Sequence, residues 1–71
     1  MTISWHPMRG DLVSIPDRML SPTRRKYAIV TDVSKRGTLL EVLTDSVFIL
    51  IHRDEVFPII DTEGRWIQLG R

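Results

Sequence analysis

Short apolar segments alternate along the chain with clusters of turn-forming residues, and the apolar positions repeat with a period of two. Residues 27–33 show this best, because Tyr27 and Ile29 fall on one face of an extended chain and Ala28 and Val30 on the other. No segment keeps the i, i+3, i+4, i+7 spacing of an amphipathic helix over more than two turns. The pattern predicts an all-β protein.

The strands are separated by segments of distinct character. A loop of about ten residues at 16–26 follows the first strand, whereas tight turns at 34–37 and 44–46 join the next three strands into an antiparallel meander. The charged residues 53–55 predict one turn of 3₁₀ helix, and Pro58 places the strand after it at an edge or end of the sheet. The predicted strands are residues 11–15, 27–33, 38–43, 47–52 and 56–60, with a further short strand at 65–69.

Both faces of the meander carry apolar side chains, which an open sheet would leave in water on one side. These side chains are Val30, Leu40, Val42, Phe48, Ile49 and Leu50. Closure of the sheet on itself would bury one face and protect the edges. We therefore predict a single domain over residues 1–71, with a five-stranded SH3-like barrel over about 10–60 and flanking tails at 1–9 and 61–71.

Composition limits what can stabilise the fold and which cellular compartment is expected. The 71 residues include no cysteine, so apolar packing must stabilise the fold, and the hydrophobic content of 42% is ordinary for a globular domain. Residues 1–10 lack the apolar run of a signal peptide, and the longest apolar run, 47–51, is too short to span a bilayer. The prediction is a cytoplasmic protein without membrane contact.

Three segments resemble the small SH3-like barrel proteins often encoded by tailed bacteriophages. They are Gly10-Asp11-Leu12-Val13, Tyr27-Ala28-Ile29-Val30 and His52-Arg53-Asp54-Glu55-Val56. KOW and Tudor-like domains resemble them at the level of the barrel fold, although Ala28 stands where the KOW pattern has glycine. The resemblance implies a binding function and, for a phage-encoded member, the host cytoplasm.

Charge is unevenly distributed although the net charge is only +1. Residues 17–36 hold six basic side chains against two acidic ones, and residues 41–63 hold six acidic side chains against Arg53. The basic positions could neutralise nucleic-acid phosphates while Tyr27 stacks a base, or they could be a solvated loop paired with the acidic segment. The candidate residues for DNA, RNA or partner binding are Arg24, Arg25, Lys26, Tyr27, Lys35 and Arg36.

The two tryptophans, Trp5 and Trp66, lie outside the barrel pattern, one in each tail. They could pack together over the core, or they could dock on another chain, since tryptophan is enriched among interface hot spots. We interpret them as candidate interface residues. A protein partner or self-association is then the preferred function, because near-zero net charge is unusual for a dedicated DNA-binding domain.

Catalytic and metal chemistry find little support in the sequence. His52, Asp54 and Glu55 have ligand side chains but no familiar spacing, and the simpler interpretation is a turn in which Asp54 caps the 3₁₀ helix. A small barrel has no cavity in which a triad could exclude water. We predict a protein that is not an enzyme and that uses no cofactor, metal ion or small-molecule substrate.

Overall fold

The computed structural model describes residues 5–17 and 24–68. Across these ranges the chain forms five strands and one turn of 3₁₀ helix, which confirms the predicted all-β domain. The rest of the predicted first loop, residues 18–23, lies outside the described residues, as do 1–4 and 69–71. The elements are β1 Leu12–Pro16, β2 Arg25–Val33, β3 Leu39–Thr44, β4 Val47–His52, the turn Arg53–Glu55 and β5 Phe57–Pro58.

All five strands belong to one antiparallel sheet with the order β4-β3-β2-β1-β5. The predicted meander corresponds to β2, β3 and β4. Closure into a barrel would require the two outer strands, β4 and β5, to pair, and within the described ranges they do not. The structure therefore shows an open five-stranded sheet, whose two edges have different surroundings.

Turn residues with positive φ angles connect the meander. Gly37, with φ of 71°, lies in the β2–β3 connection, where a residue with a Cβ atom would be strained. Asp45 and Ser46 form the two-residue β3–β4 turn with φ of 51° and 65°, which is the backbone of a type I′ hairpin. This turn sets the pairing of β3 with β4 from Thr44–Val47 to Leu39–His52 without a shift.

Alternation along the strands puts one face of the sheet in the core. The tightest packing is at Val13, Ile15, Val30, Leu40 and Val42, none more than 1% exposed. Trp5, Ala28, Ile51 and Val56 complete this core, and Val33, Ile49 and Trp66 pack against it. The pairing of β2 with β3 shifts between Val30 and Asp32, and such a shift bends the strand and increases its twist.

The flanking segments pack on the sheet as far as the structure describes them. Near the amino terminus, the Trp5 carbonyl accepts a hydrogen bond of 2.6 Å from Nη2 of Arg53. Near the carboxyl terminus, Ile67 accepts a bond of 3.0 Å from the Leu12 N–H. The predicted last strand at 65–69 is reduced to isolated bridges, in which Trp66 lies opposite Ile60 and Gln68 opposite Asp11.

The 3₁₀ turn begins differently from the prediction. His52 is its N-cap residue, and its Nδ1 accepts the N–H of Asp54 at 3.2 Å. Asp54 was predicted to be the cap but occupies the first turn, where its carboxylate lies 3.4 Å from the same imidazole. The imidazole therefore supplies the acceptor that a carboxylate usually provides at this position.

Candidate interaction surfaces

The guanidinium of Arg25 joins three parts of the fold. Its Nε donates to Ser14 Oγ at 2.7 Å, and its Nη2 donates to the carbonyls of Ser14 at 2.7 Å and Glu55 at 2.8 Å. Its Cζ lies 4.6 Å from the ring centre of Phe57, a cation–π contact. Arg25 therefore links β1, β5 and the 3₁₀ turn, and these donors form hydrogen bonds within the chain.

Lys26 forms an ion pair within the chain. Its Nζ lies 2.9 Å from Oδ2 of Asp45 in the β3–β4 turn. This hydrogen bond, opposed by desolvation and assisted by the charges of Asp45 and Asp17, raises the pKa of Lys26 above its ordinary value. The pair joins one residue of the basic segment to one of the acidic segment, as expected if the two charged regions neutralise each other.

The remaining basic candidates do not form one patch. Arg24 lies just before β2 and is exposed, whereas Lys35 and Arg36 lie in the connection after β2. A nine-residue strand at about 3.3 Å per residue keeps these two groups roughly 25 Å apart along β2. Tyr27 is 69% exposed on the outer face, beside the first group only.

The two tryptophans have different environments. Trp5 is 9% exposed and belongs to the core of its own chain, so little of its ring remains for a partner. Trp66 is half-buried and packs against that core. Neither ring projects freely into solvent, and Trp66 offers the larger surface of the two.

An apolar stripe crosses the outer face of the sheet. Cross-strand pairing places Leu12 opposite Ile29, Ile29 opposite Leu43, and Leu43 opposite Phe48. We call these four residues the outer stripe. It runs from β1 to β4 and ends at Phe48, which is 64% exposed. The alternation of each strand is visible in the sequence, but the stripe is not, because its members come from four strands.

The free side of β4 is an apolar edge of the described sheet. Leu50 is 72% exposed, and Val47 is exposed as well. On its inner side the edge borders a groove of about 240 Å³, which separates β4 from the end of β1. The groove is lined by Pro16, Lys26, Thr44, Val47, Ile49, Leu50 and Ile51.

Other kinds of site are not found in the described ranges. No three histidine, aspartate or glutamate side chains there lie close enough to hold a metal ion. None of the described residues belongs to a helix with the length and apolarity to cross a membrane. Every buried polar side-chain atom in those ranges has a hydrogen-bond partner. Among the large apolar side chains that stay exposed in the described structure, three lie together on one strand, at Val47, Phe48 and Leu50 of β4.

Comparisons with protein-family models, with curated proteins and with solved structures find no significant match.

Proposed function

We propose that this chain is a non-catalytic protein-interaction module that assembles with a second copy of itself through the β4 edge, at which the outer stripe ends. The observation that carries the proposal is the exposure of Phe48 and Leu50 on one face of an outer strand. An exposed apolar surface that reaches an unpaired edge is a feature that monomeric proteins usually avoid.

A second copy suits this surface because the strand that would meet it has no charge. Residues 47–52 contain no aspartate, glutamate, lysine or arginine, so two β4 strands would approach each other without ionic repulsion. The groove between β4 and Pro16 also fits a finer fold proposal, in which this gap is the open seam of an SH3-like barrel. An accessory subunit of phage type would be one such self-assembling barrel.

Nucleic-acid binding has weaker support than self-assembly. Arg25 and Lys26 use their donors within the chain, and Lys35 and Arg36 lie at the far end of β2. A phosphate backbone is usually contacted by several cations along one continuous surface. The candidate residues Arg24, Arg25, Lys26, Lys35 and Arg36 do not form such a surface among themselves.

The proposal is tested by sedimentation velocity of the full chain from about 10 µM to about 1 mM, the range of weak protein association. We expect the mean mass to rise with concentration. Phe48→Ser removes the exposed end of the outer stripe and should weaken association by at least about fivefold, which corresponds to ~1 kcal/mol.

Tyr27→Ser is the matched control, because it removes a similarly exposed aromatic ring from the same face but two strands away from the β4 edge. It should leave the association unchanged. A fluorescent oligonucleotide titration at low salt supplies the competing readout. A chain that remains monomeric over the whole range, and that binds the oligonucleotide with steep salt dependence, would overturn the proposal in favour of nucleic-acid binding.

A further inference from the structure

The β3–β4 turn determines which backbone groups of β4 point away from the sheet. In a two-residue hairpin the flanking residues, Thr44 and Val47, exchange both hydrogen bonds, and the bonded pairs then alternate along the ladder. The end of the β3–β4 ladder far from the turn shows the same alternation, because the Arg53 N–H donates to the Thr38 carbonyl at 2.9 Å. The odd-numbered residues of β4 therefore bond to β3.

The even-numbered residues of β4 are Phe48, Leu50 and His52. Both backbone groups of Phe48 and Leu50 and the N–H of His52 point to the free edge, whereas the His52 carbonyl, as the N-cap carbonyl, accepts the first bond of the 3₁₀ turn. In the described part of the chain no strand pairs with this side of β4. These residues are spaced evenly about Leu50. A two-fold axis at Leu50 would therefore pair the two Leu50 residues through both of their backbone groups and place the His52 N–H of each copy opposite the Phe48 carbonyl of the other.

We propose that β4 pairs antiparallel with β4 of a second copy, in the register that places Leu50 opposite Leu50. The inference rests on the proposed function and names the geometry of its interface. The Phe48 carbonyl then accepts a hydrogen bond from the His52 N–H of the second copy, and the reverse bond forms by symmetry. One continuous sheet of both copies results.

The side chains on the outer face are compatible with this register. The Leu50 side chains meet at the axis, and the outer stripe of one copy continues from Phe48 to His52 and then Leu39 of the other. An aromatic ring opposite an imidazole and a leucine opposite a leucine are favourable cross-strand pairs. No like charges face each other along the six residues of β4.

The assembly closes at two copies. The pairing is isologous, so each chain uses its single long edge once, and β5 at the other edge has only two residues, one of them Pro58. A six-residue strand pair is smaller than the ~800 Å² per partner of a standard interface. The dimer should consequently be weak, with a dissociation constant of roughly 100 µM.

Charge substitution at the axis tests the register, because residue 50 faces its own copy. Leu50→Lys places two ammonium groups opposite each other and Leu50→Glu two carboxylates, so each variant alone should dimerise at least about tenfold more weakly. An equimolar mixture should restore dimerisation, since a lysine then meets a glutamate. Tyr27→Lys and Tyr27→Glu are the matched controls, and they should change nothing alone or mixed.

Hydrogen exchange of the unmodified chain provides a measurement that does not depend on variants. The amides of Leu50 and His52 should gain protection as concentration rises, while Ile49 and Ile51 are protected throughout by β3. Self-association without rescue in the mixture and without protection at Leu50 would overturn the edge pairing but leave the proposed function standing. A chain that stays monomeric at about 1 mM overturns both.

Discussion

The two edges of the sheet are built in opposite ways. The β5 edge is two residues long, contains Pro58, and is followed by a segment that turns back so that Trp66 lies opposite Ile60. The β4 edge is six residues long, has no proline and no charge, and pairs with β3 without a bulge. Proline, brevity and covering segments are the usual means by which proteins prevent edge-to-edge pairing, and among the residues that the structure describes only the β5 edge has them.

The contrast also extends to the side chains that lie along each edge. The guanidinium of Arg25 stabilises the β5 side through Ser14, Glu55 and Phe57, so this part of the fold is completed within one chain. The β4 side has no comparable set of contacts on its outer residues Phe48 and Leu50 in the described structure. An edge that is left apolar and regular beside one that is protected suggests a difference in role.

The largest expected effect comes from proline substitutions at two adjacent positions of β4. Ile49→Pro removes a ladder bond to Val42, leaves its buried carbonyl unpaired and places the ring against β3, so we expect a loss on the order of 3 kcal/mol in unfolding free energy. That loss is a large share of the ~4 to 10 kcal/mol typical of a domain this size. Chemical denaturation monitored by tryptophan fluorescence measures it.

Leu50→Pro is the matched variant, shifted by one residue. Its missing N–H points to solvent in one chain, so it should cost far less in stability, while it removes the central donor of the proposed dimer. Equal destabilisation by the two prolines would contradict the assigned phase of β4, and with it the contrast between the bonded and the unbonded side of this strand.

Removal of Arg25 should weaken the β5 edge. Arg25→Ala deletes three hydrogen bonds and the stack on Phe57, and because the group is exposed we expect a loss of about 1–2 kcal/mol in unfolding free energy. Arg25→Lys keeps the charge but not the forked donors, so it should recover less than half of that loss. Urea denaturation of both variants measures these effects.

Arg36→Ala is the control of the same residue type, since Arg36 is exposed in the β2–β3 connection. It should change stability by less than about 0.5 kcal/mol. If Arg25→Ala also changed the unfolding free energy by less than about 0.5 kcal/mol, the guanidinium would not be stabilising the β5 edge. Its availability to a ligand such as nucleic acid would then have to be reconsidered.

A smaller change in the opposite direction is expected at the β3–β4 turn. Ser46 has φ of 65°, a conformation that glycine adopts without the penalty of a Cβ atom. Ser46→Gly should stabilise the fold by about 0.5–1 kcal/mol and should leave the Lys26–Asp45 ion pair in place. Thermal unfolding measures the gain, and a loss of stability would argue against the type I′ turn that sets the phase of β4.

The sequence predicted the strands well because their signals are local. The alternation of residues 27–33, the tight turn at 44–46 and the charged residues 53–55 all appear in the structure near their predicted places. Whether the sheet closes into a barrel could not be predicted in the same way. It depends on curvature accumulated over five strands and on how the groove beside Pro16 is filled, and neither leaves a periodic signal.

The surroundings of the candidate binding residues were harder to predict, because their contacts join segments that are far apart in the sequence. Arg25 looked available beside Arg24 and Lys26, but its acceptors lie 11 and 30 residues away at Ser14 and Glu55. Trp5 looked like a free tail residue, yet its carbonyl is bound by Arg53, 48 residues further along. Proximity in sequence grouped side chains that the fold separates.

The smallest effect is expected where the protected edge loses its proline. Pro58 pairs with Val13 at a position whose backbone nitrogen points outward, because the flanking Ile59 N–H donates to the Leu12 carbonyl at 3.3 Å. Pro58→Val adds one outward donor but not a long edge. We expect unfolding free energy to change by less than about 0.5 kcal/mol and sedimentation to be unaltered. Larger assemblies in this variant would mean that Pro58 alone keeps the β5 edge closed, and that the two edges differ by one residue rather than by their length and covering.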